Sequence, residues 1–202
     1  MGRSMAFGFA VLVGLAWGVA AAPASAADDC TYTFPSEGGY FGTPVADGDL
    51  ICGGPGDDFV RTMGGGVFRG EGGNDTVDAV GGGVFDGGPG NDFVMNLGST
   101  FVGGPGNDRV NNMYQGTFVG GDGHDSVTKL GVGTFIGGGD NDGVLYLPAS
   151  GPGGPATFIG GGGIDAITWF TGSDIATFNA GGGDDWVQFC RGAAPKSAEC
   201  LH

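Results

Sequence analysis

Histidine is nearly absent from this chain of 202 residues, and neither copy is set up for chemistry: His124 fills a variable place in a short repeat and His202 is the last residue. There is no H-E-x-x-H for a zinc hydrolase and no G-x-S-x-G nucleophile elbow. The run His124-Asp125-Ser126 has the composition of a catalytic triad, but neighbours along a strand point to opposite faces. Paired acids such as Asp57 with Asp58 recur only because the repeat recurs. No enzyme activity is therefore expected. Basic residues are also scarce, with 7 Lys and Arg against 22 Asp and Glu, which excludes a nucleic-acid partner and disfavours an anionic membrane surface. The four cysteines all lie near the two ends. Collagen's strict triplet is missing despite 49 glycines, and the bulky residues recur in register, which points to a solenoid over disorder.

Only one long apolar run exists, over residues 5–22, with Arg3 before it, Pro23 after it and the small-x-small set Ala24-Ser25-Ala26 beyond. This is the pattern of a secretory signal peptide over 1–26, removed to leave a chain beginning at Ala27. The alternative, a membrane anchor, suits the run poorly because it is short and thinned by glycine. No second stretch is long enough to span, so a secreted, extracellular protein is expected. Without Arg3, six basic residues face the 22 acids and the formal charge is −16.

The rest is organised by one motif, Gly-Gly-x-Gly-x-Asp-x-U-x, where U is a large apolar residue. Copies start at Gly53, Gly70, Gly87, Gly103, Gly120, Gly137, Gly160 and Ala180, and the sixth places are Asp58, Asp75, Asp92, Asp108, Asp125, Asp142, Asp165 and Asp185. Glycines permit φ > 0 and a tight turn that aims carbonyl oxygens at one point, to which the Asp adds a charged oxygen. Such a turn is half of a hard-cation site. Calcium takes six to eight oxygens in irregular geometry, so two stacked turns complete what one cannot.

This array resembles the RTX, or haemolysin-type, calcium-binding nonapeptide repeats over about residues 42–189. The resemblance implies an all-β, right-handed parallel β-roll or β-helix of about eight coils, with several calcium ions held between turns. On that reading the ligands are the sixth-place aspartates with first- and third-place residues of each turn: Gly53 and Pro55, Gly70 and Gly72, Gly87 and Pro89, Gly103 and Pro105, Gly120 and Asp122, Gly137 and Gly139, Gly160 and Gly162, and Gly182 in the last copy. The zinc-protease domain of some family members is missing. A Sec-type start in place of a C-terminal export signal also argues against toxin-like pore formation.

The repeat starts are 17, 17, 16, 17, 17, 23 and 20 residues apart, so nearly two nonapeptides make one coil with two strands. One strand turns Val60, Val77, Val94, Val110, Val127, Val144, Ile167 and Val187 inward; the other turns Phe68, Phe85, Phe101, Phe118, Phe135, Phe158 and Phe178 inward. The second turn of each coil lacks the sixth-place Asp, as at Met63-Gly64-Gly65-Gly66, Val80-Gly81-Gly82-Gly83, Leu97-Gly98-Ser99 and Asn112-Met113-Tyr114-Gln115-Gly116. Calcium is therefore expected in a single column with at most about seven gaps. Seven dications would bring −16 to about −2 and relieve the repulsion of a stacked aspartate column. The weakest copies carry Glu71 for the second Gly, Asp140 for the fourth Gly, or Ala180 for the first. The plainer alternative makes the aspartates turn formers capping their own backbone.

Residues 27–52 read as an N-terminal cap and degenerate first coil, 53–189 as the repeat roll and 190–202 as a C-terminal cap or tail. Tyr32, Phe34, Tyr40 and Phe41 are suited to covering the first coil, and Ile51 falls on the inner face. Asp49 stands at the sixth place of an incomplete turn and is a poor ligand. An even cysteine count in an exported chain favours disulfides. Three pairings are possible, of which Cys30–Cys52 with Cys190–Cys200 would staple the two caps. Insertions at 147–155 and 169–174 account for the long spacings. Thr100, Thr117, Thr134, Thr157 and Thr177 form an outward row beside Val102, Val119, Ile136 and Ile159, a face for a protein contact or ordered water, or plain strand propensity. The functional expectation is a secreted, non-catalytic calcium-binding repeat protein. The alternative is an adhesion or matrix protein, or an accessory subunit, acting through the Thr/Val face or the Pro-rich loop.

Overall fold

The computed structural model describes residues 30–148, 156–170, 177–191 and 199–201; the signal peptide expected at 1–26 and most of the two insertions lie outside them. Among the described residues seventeen strands run in chain order as β1 (Tyr32–Thr33), β2 (Tyr40–Phe41), β3 (Leu50–Gly54), β4 (Phe59–Glu71), β5 (Thr76–Asp86), β6 (Phe93–Leu97), β7 (Thr100–Pro105), β8 (Arg109–Met113), β9 (Thr117–Asp122), β10 (Ser126–Leu130), β11 (Gly133–Gly138), β12 (Gly143–Tyr146), β13 (Ala156–Gly162), β14 (Ala166–Phe170), β15 (Thr177–Gly182), β16 (Trp186–Arg191) and β17 (Glu199–Leu201). No helix of the described residues is long and apolar enough to cross a membrane.

Pairing is between successive coils and almost wholly parallel. One series runs β2, β4, β5, β6, β8, β10, β12, β14, β16, with Val60, Val77, Val94, Val110, Val127, Val144, Ile167 and Val187 in register. The other runs β1, β3, β4, β5, β7, β9, β11, β13, β15, with Ile51 heading the column of Phe68, Phe85, Phe101, Phe118, Phe135, Phe158 and Phe178. In the first two coils β4 and β5 pass through the glycine corner unbroken and join both series. The result is an all-β parallel solenoid of about eight turns, as the repeat spacing predicts.

The core between the two series is dry. Phe68 to Phe158 and Val60 to Ile167 are at most 2% exposed, while Phe178 and Val187, at the last coil, are only partly buried. The phenylalanine rings stack with centroids 4.8–5.0 Å apart and planes within 4–6° of parallel from Phe68 to Phe158. That spacing is set by the strand ladder. Since carbon contacts are closer, at about 3.5–4.0 Å, the rings must be slipped sideways into the favoured offset stack. Burying each such side chain contributes roughly 1.5–3 kcal/mol.

A third inner column corrects the two-column reading. Val45, Met63, Val80, Leu97, Met113, Leu130 and Leu147 are buried to 2% exposure or less, so the residues heading the second turn belong to the core. From Met63 onward two consecutive outward residues separate each from the apolar residue of the valine column, because the strand bends at the corner. Glycine completes that bend with φ between 65° and 106° at Gly66, Gly83, Gly116 and Gly133.

The first coil is covered by three of the four expected aromatics, while Tyr40 lies outside and stacks on the outward-facing Phe59. Phe34 is 4% exposed and packs edge-on against Phe68 at 6.0 Å, with Tyr32 and Phe41 beside it. A Cys30–Cys52 disulfide ties this cap to β3. At the other end β17 pairs antiparallel with β16 and sets Cys190 opposite Cys200.

Candidate metal centre

The glycine-rich turns stack along one edge of the solenoid, and almost every backbone group in them is used between coils. A second-place N–H donates to the first-place carbonyl one coil on, as Gly88 to Gly103. A third-place N–H donates back to the second place, as Gly72 to Gly54 and Gly139 to Gly121. Fourth-place N–H groups reach the third-place carbonyl one coil on, as Gly90 to Pro105 and Gly106 to Asp122. This bonding requires left-handed backbone at the second and fourth places. Glycine supplies it at most copies; Glu71 and Asp140, the non-glycine substitutes, are held at φ 71° and 65°.

The sixth-place N–H points where no carbonyl waits, and the aspartate of the next coil closes the gap. Asp58 N–H donates to Asp75 Oδ1 at 2.8 Å, Asp75 to Asp92, Asp92 to Asp108, Asp108 to Asp125, Asp125 to Asp142, Asp142 to Asp165 and Asp165 to Asp185, all at 2.7–2.8 Å. From Asp75 onward each side chain therefore caps the preceding coil's backbone, not its own, while Asp58 at the head of the column has neither oxygen bonded. Asp58 to Asp165 are at most 3% exposed.

The second carboxylate oxygen is left over. Oδ2 of Asp58, Asp75, Asp92, Asp108, Asp125, Asp142 and Asp165 is buried with no hydrogen-bond partner. It lies over the first-place glycine of its own turn: a Cβ at Gly87 would overlap Asp92 Oδ2 and stand 2.9 Å from the Gly103 carbonyl oxygen, and one at Gly103 or Gly120 would meet Asp108 or Asp125 in the same way. The carboxylate oxygen and the carbonyl of the next coil thus flank the same glycine, and the carboxylate oxygen has no donor. Burial pushes the carboxyls up, Asp75 and Asp142 to about 7, Asp92 and Asp125 to about 8 and Asp108 to about 6. Asp58 and Asp165 are raised for the same reason.

A parallel column at the fifth place has the opposite polarity. Asp57 Oδ1 accepts from Asn74 N–H, Asn74 from Asn91, Asn91 from Asn107, Asn107 from His124, His124 Nδ1 from Asn141, and Asn141 from Ile164. Sequence reasoning treated this place as variable; the recurrence of Asn74, Asn91, Asn107 and Asn141 was the available signal. His124 is thereby a link in this column.

Of the expected ligands, the structure brings the first-place glycines and sixth-place aspartates together. The third places lie on the outer bend, with Pro55, Pro89, Pro105, Asp122 and Gly182 exposed and Gly72, Gly139 and Gly162 half-buried. Among the described residues no three His, Cys, Asp or Glu side chains converge. A cation between coils would draw on aspartate oxygens and main-chain carbonyls, each of which keeps a second lone pair. Asp185, in the last coil, is half-buried, and Asp49 Oδ2 caps Ala46 N–H in a local turn. No protein-family model, curated protein or solved structure matches this chain.

Proposed function

We propose that the chain is a secreted, non-catalytic calcium-binding β-roll of the RTX type, with calcium ordering the solenoid from within the aspartate column. The observation that carries this reading is the row of buried Oδ2 atoms without a donor. Asparagine at the sixth place would keep the Oδ1 cap and put an amide N–H toward the first-place carbonyl, satisfying every group. The exposed fifth place of the same turns uses Asn repeatedly. The buried sixth place uses Asp in all eight copies, although an unpaired buried charge is costly. Calcium, when bound, supplies the positive charge those oxygens lack. Asp58, Asp75, Asp92, Asp108, Asp125, Asp142 and Asp165, with carbonyls of the first-place residues, are the groups that would hold it. Extracellular calcium modules work at roughly 10⁻⁴–10⁻³ M, which suits folding triggered on export.

The test is far-UV circular dichroism of residues 27–202, titrated with calcium after chelation and repeated with magnesium, alongside calorimetric counting of bound calcium. A cooperative coil-to-β transition with several ions bound, absent with magnesium, is expected. A fully folded spectrum in excess chelator with no calcium bound overturns the reading.

A second reading, an adhesion or matrix protein or an accessory subunit, is favoured by the in-register columns of Thr100, Thr117, Thr134 and Thr157 and of Val102, Val119, Ile136 and Ile159. All are half-buried and uncharged. The Pro-rich loop that could share this role lies largely outside the described residues. Pull-down from culture medium tests it, and an isolated monomer counts against it.

A further inference from the structure

The acidic charge of this protein is unevenly spread. The outward face of the valine-bearing strands carries Arg61, Arg109 and Lys129, all exposed, against a single acid, Asp78. Arg109 donates to Thr128 Oγ1 at 3.1 Å, and Arg61 and Lys129 make no ion pair or hydrogen bond among the described residues. Three of the chain's seven basic residues thus lie on one face of a molecule whose formal charge is −15, Arg109 and Lys129 on neighbouring coils and Arg61 three coils before Arg109, beside Asp78.

Aromatic surface runs through the same face. Tyr40, 63% exposed, stacks on Phe59 with centroids 5.2 Å apart and planes at 10°. The register continues the column as Phe59, Thr76, Phe93, Arg109. Beside it Asn96 and Asn112 are adjacent in register and joined by a 3.3 Å amide bond, with Lys129 next in the column. The face is therefore a strip along the solenoid axis that offers aromatic planes at Tyr40, Phe59 and Phe93, amides at Asn96 and Asn112, and cations at Arg61, Arg109 and Lys129, spread over successive coils.

We propose that this strip binds an acidic polysaccharide lying along the solenoid axis. Aromatic faces carry negative charge density that attracts the C–H faces of sugar rings. Amides and guanidinium groups supply hydrogen bonds to hydroxyls and uronate carboxylates. Coils repeat every 4.8 Å at Phe85 and Phe101, close to the advance of one sugar in an extended chain, so consecutive sugars meet successive coils, those of Phe59 and Phe93 first and those of Arg109 and Lys129 after them. Charge complementarity selects an acidic glycan over a neutral one. A narrow chain can lie over Arg109 and Lys129, whereas a nucleic acid or a flat anionic bilayer would meet the field of the whole molecule.

The proposal does not depend on what occupies the aspartate column. The test is affinity electrophoresis of residues 27–202 through gels containing hyaluronan, in calcium and about 0.05 M salt, with neutral dextran as control. Folding of every variant is checked by circular dichroism. Hyaluronan should retard the protein, and about 0.5 M salt, where screening reaches a few ångströms, should abolish the effect. The double substitution Arg109→Gln with Lys129→Gln should weaken retention about fivefold, in line with two exposed charge contacts. Asp78→Asn should strengthen it about twofold by removing the face's acid. No retardation, equal retardation by dextran, or retention unaltered in the folded double variant overturns the proposal.

Discussion

Asp108→Asn separates a cation ligand from a backbone cap, because the two roles require opposite signs. Asn keeps the oxygen that accepts from Asp92 N–H at 2.7 Å and replaces the donorless Oδ2 with an amide facing the Gly120 carbonyl. In chelator the substitution should stabilise. Burial raises the Asp108 carboxyl from 3.8 to about 6, and at 1.36 kcal/mol per unit the ionised form costs about 3 kcal/mol above that pH. Relief extends to Asp92 and Asp125, whose carboxyls are also raised in part by the Asp108 charge.

With calcium the sign reverses. Removing one charged ligand from the middle of the column should raise the calcium concentration for half-folding about tenfold, a loss of about 1.4 kcal/mol. The assay is urea unfolding of residues 27–202 by circular dichroism, at pH 8, with saturating calcium and with chelator. If Asp108→Asn destabilises equally in both conditions, the carboxylate is serving only as a backbone cap and the column holds no cation. Stabilisation confined to chelator is the expected result.

The remaining predictions follow from the same column and core. Because the folded-state carboxyls are raised from 3.8, the native form binds protons that the unfolded chain has released; the metal-free stability they contribute should be highest at and below about pH 4 and fall as pH rises from there to about 8, checked by thermal melts in chelator. Phe118→Ala removes a fully buried ring from the middle of the stack and should cost about 3–5 kcal/mol in calcium, measured by urea unfolding. Asp140→Gly should stabilise by about 1 kcal/mol, since Asp140 holds a left-handed φ of 65° that glycine adopts freely, and the same measurement applies to Glu71→Gly at φ 71°.

The valine and phenylalanine columns were legible because each is a single large apolar residue recurring at the coil period. The Met63-to-Leu147 column was not, since its residue type varies and it stands three places after the valine, against the strand period of two. Only the corner bend turns it inward. The aspartate column was legible in place and number but not in direction: the motif does not say whether an Asp caps its own turn or a neighbour's. Stacking decides that, because within the tight turn the N–H of Asp92 faces along the axis toward Asp108 and away from its own carboxylate. The fifth-place column was hidden by variety, since Asp57, Asn74, His124 and Asn141 share only an acceptor atom.

The two side-chain columns together give the solenoid its cooperativity. At the coil opened by Gly103, Asp108 reaches back to cap Asp92 N–H while Asn107 reaches forward to cap His124 N–H. The same coil depends on Asp125 for its own Asp108 N–H and on Asn91 for its Asn107 N–H. Loosening one coil therefore leaves unmet groups on both sides, and the buried sixth-place donor alone costs about 1–3 kcal/mol when uncapped. That penalty adds to the loss of stacked phenylalanine at the same boundary. Unfolding coil by coil from the middle is thus unfavourable at every step, and fraying is confined to the ends, where Phe178 and Val187 are already half-open. A cation held within the column would couple to this arrangement directly, since the aspartates that would bind it are the same side chains that join one coil to the next.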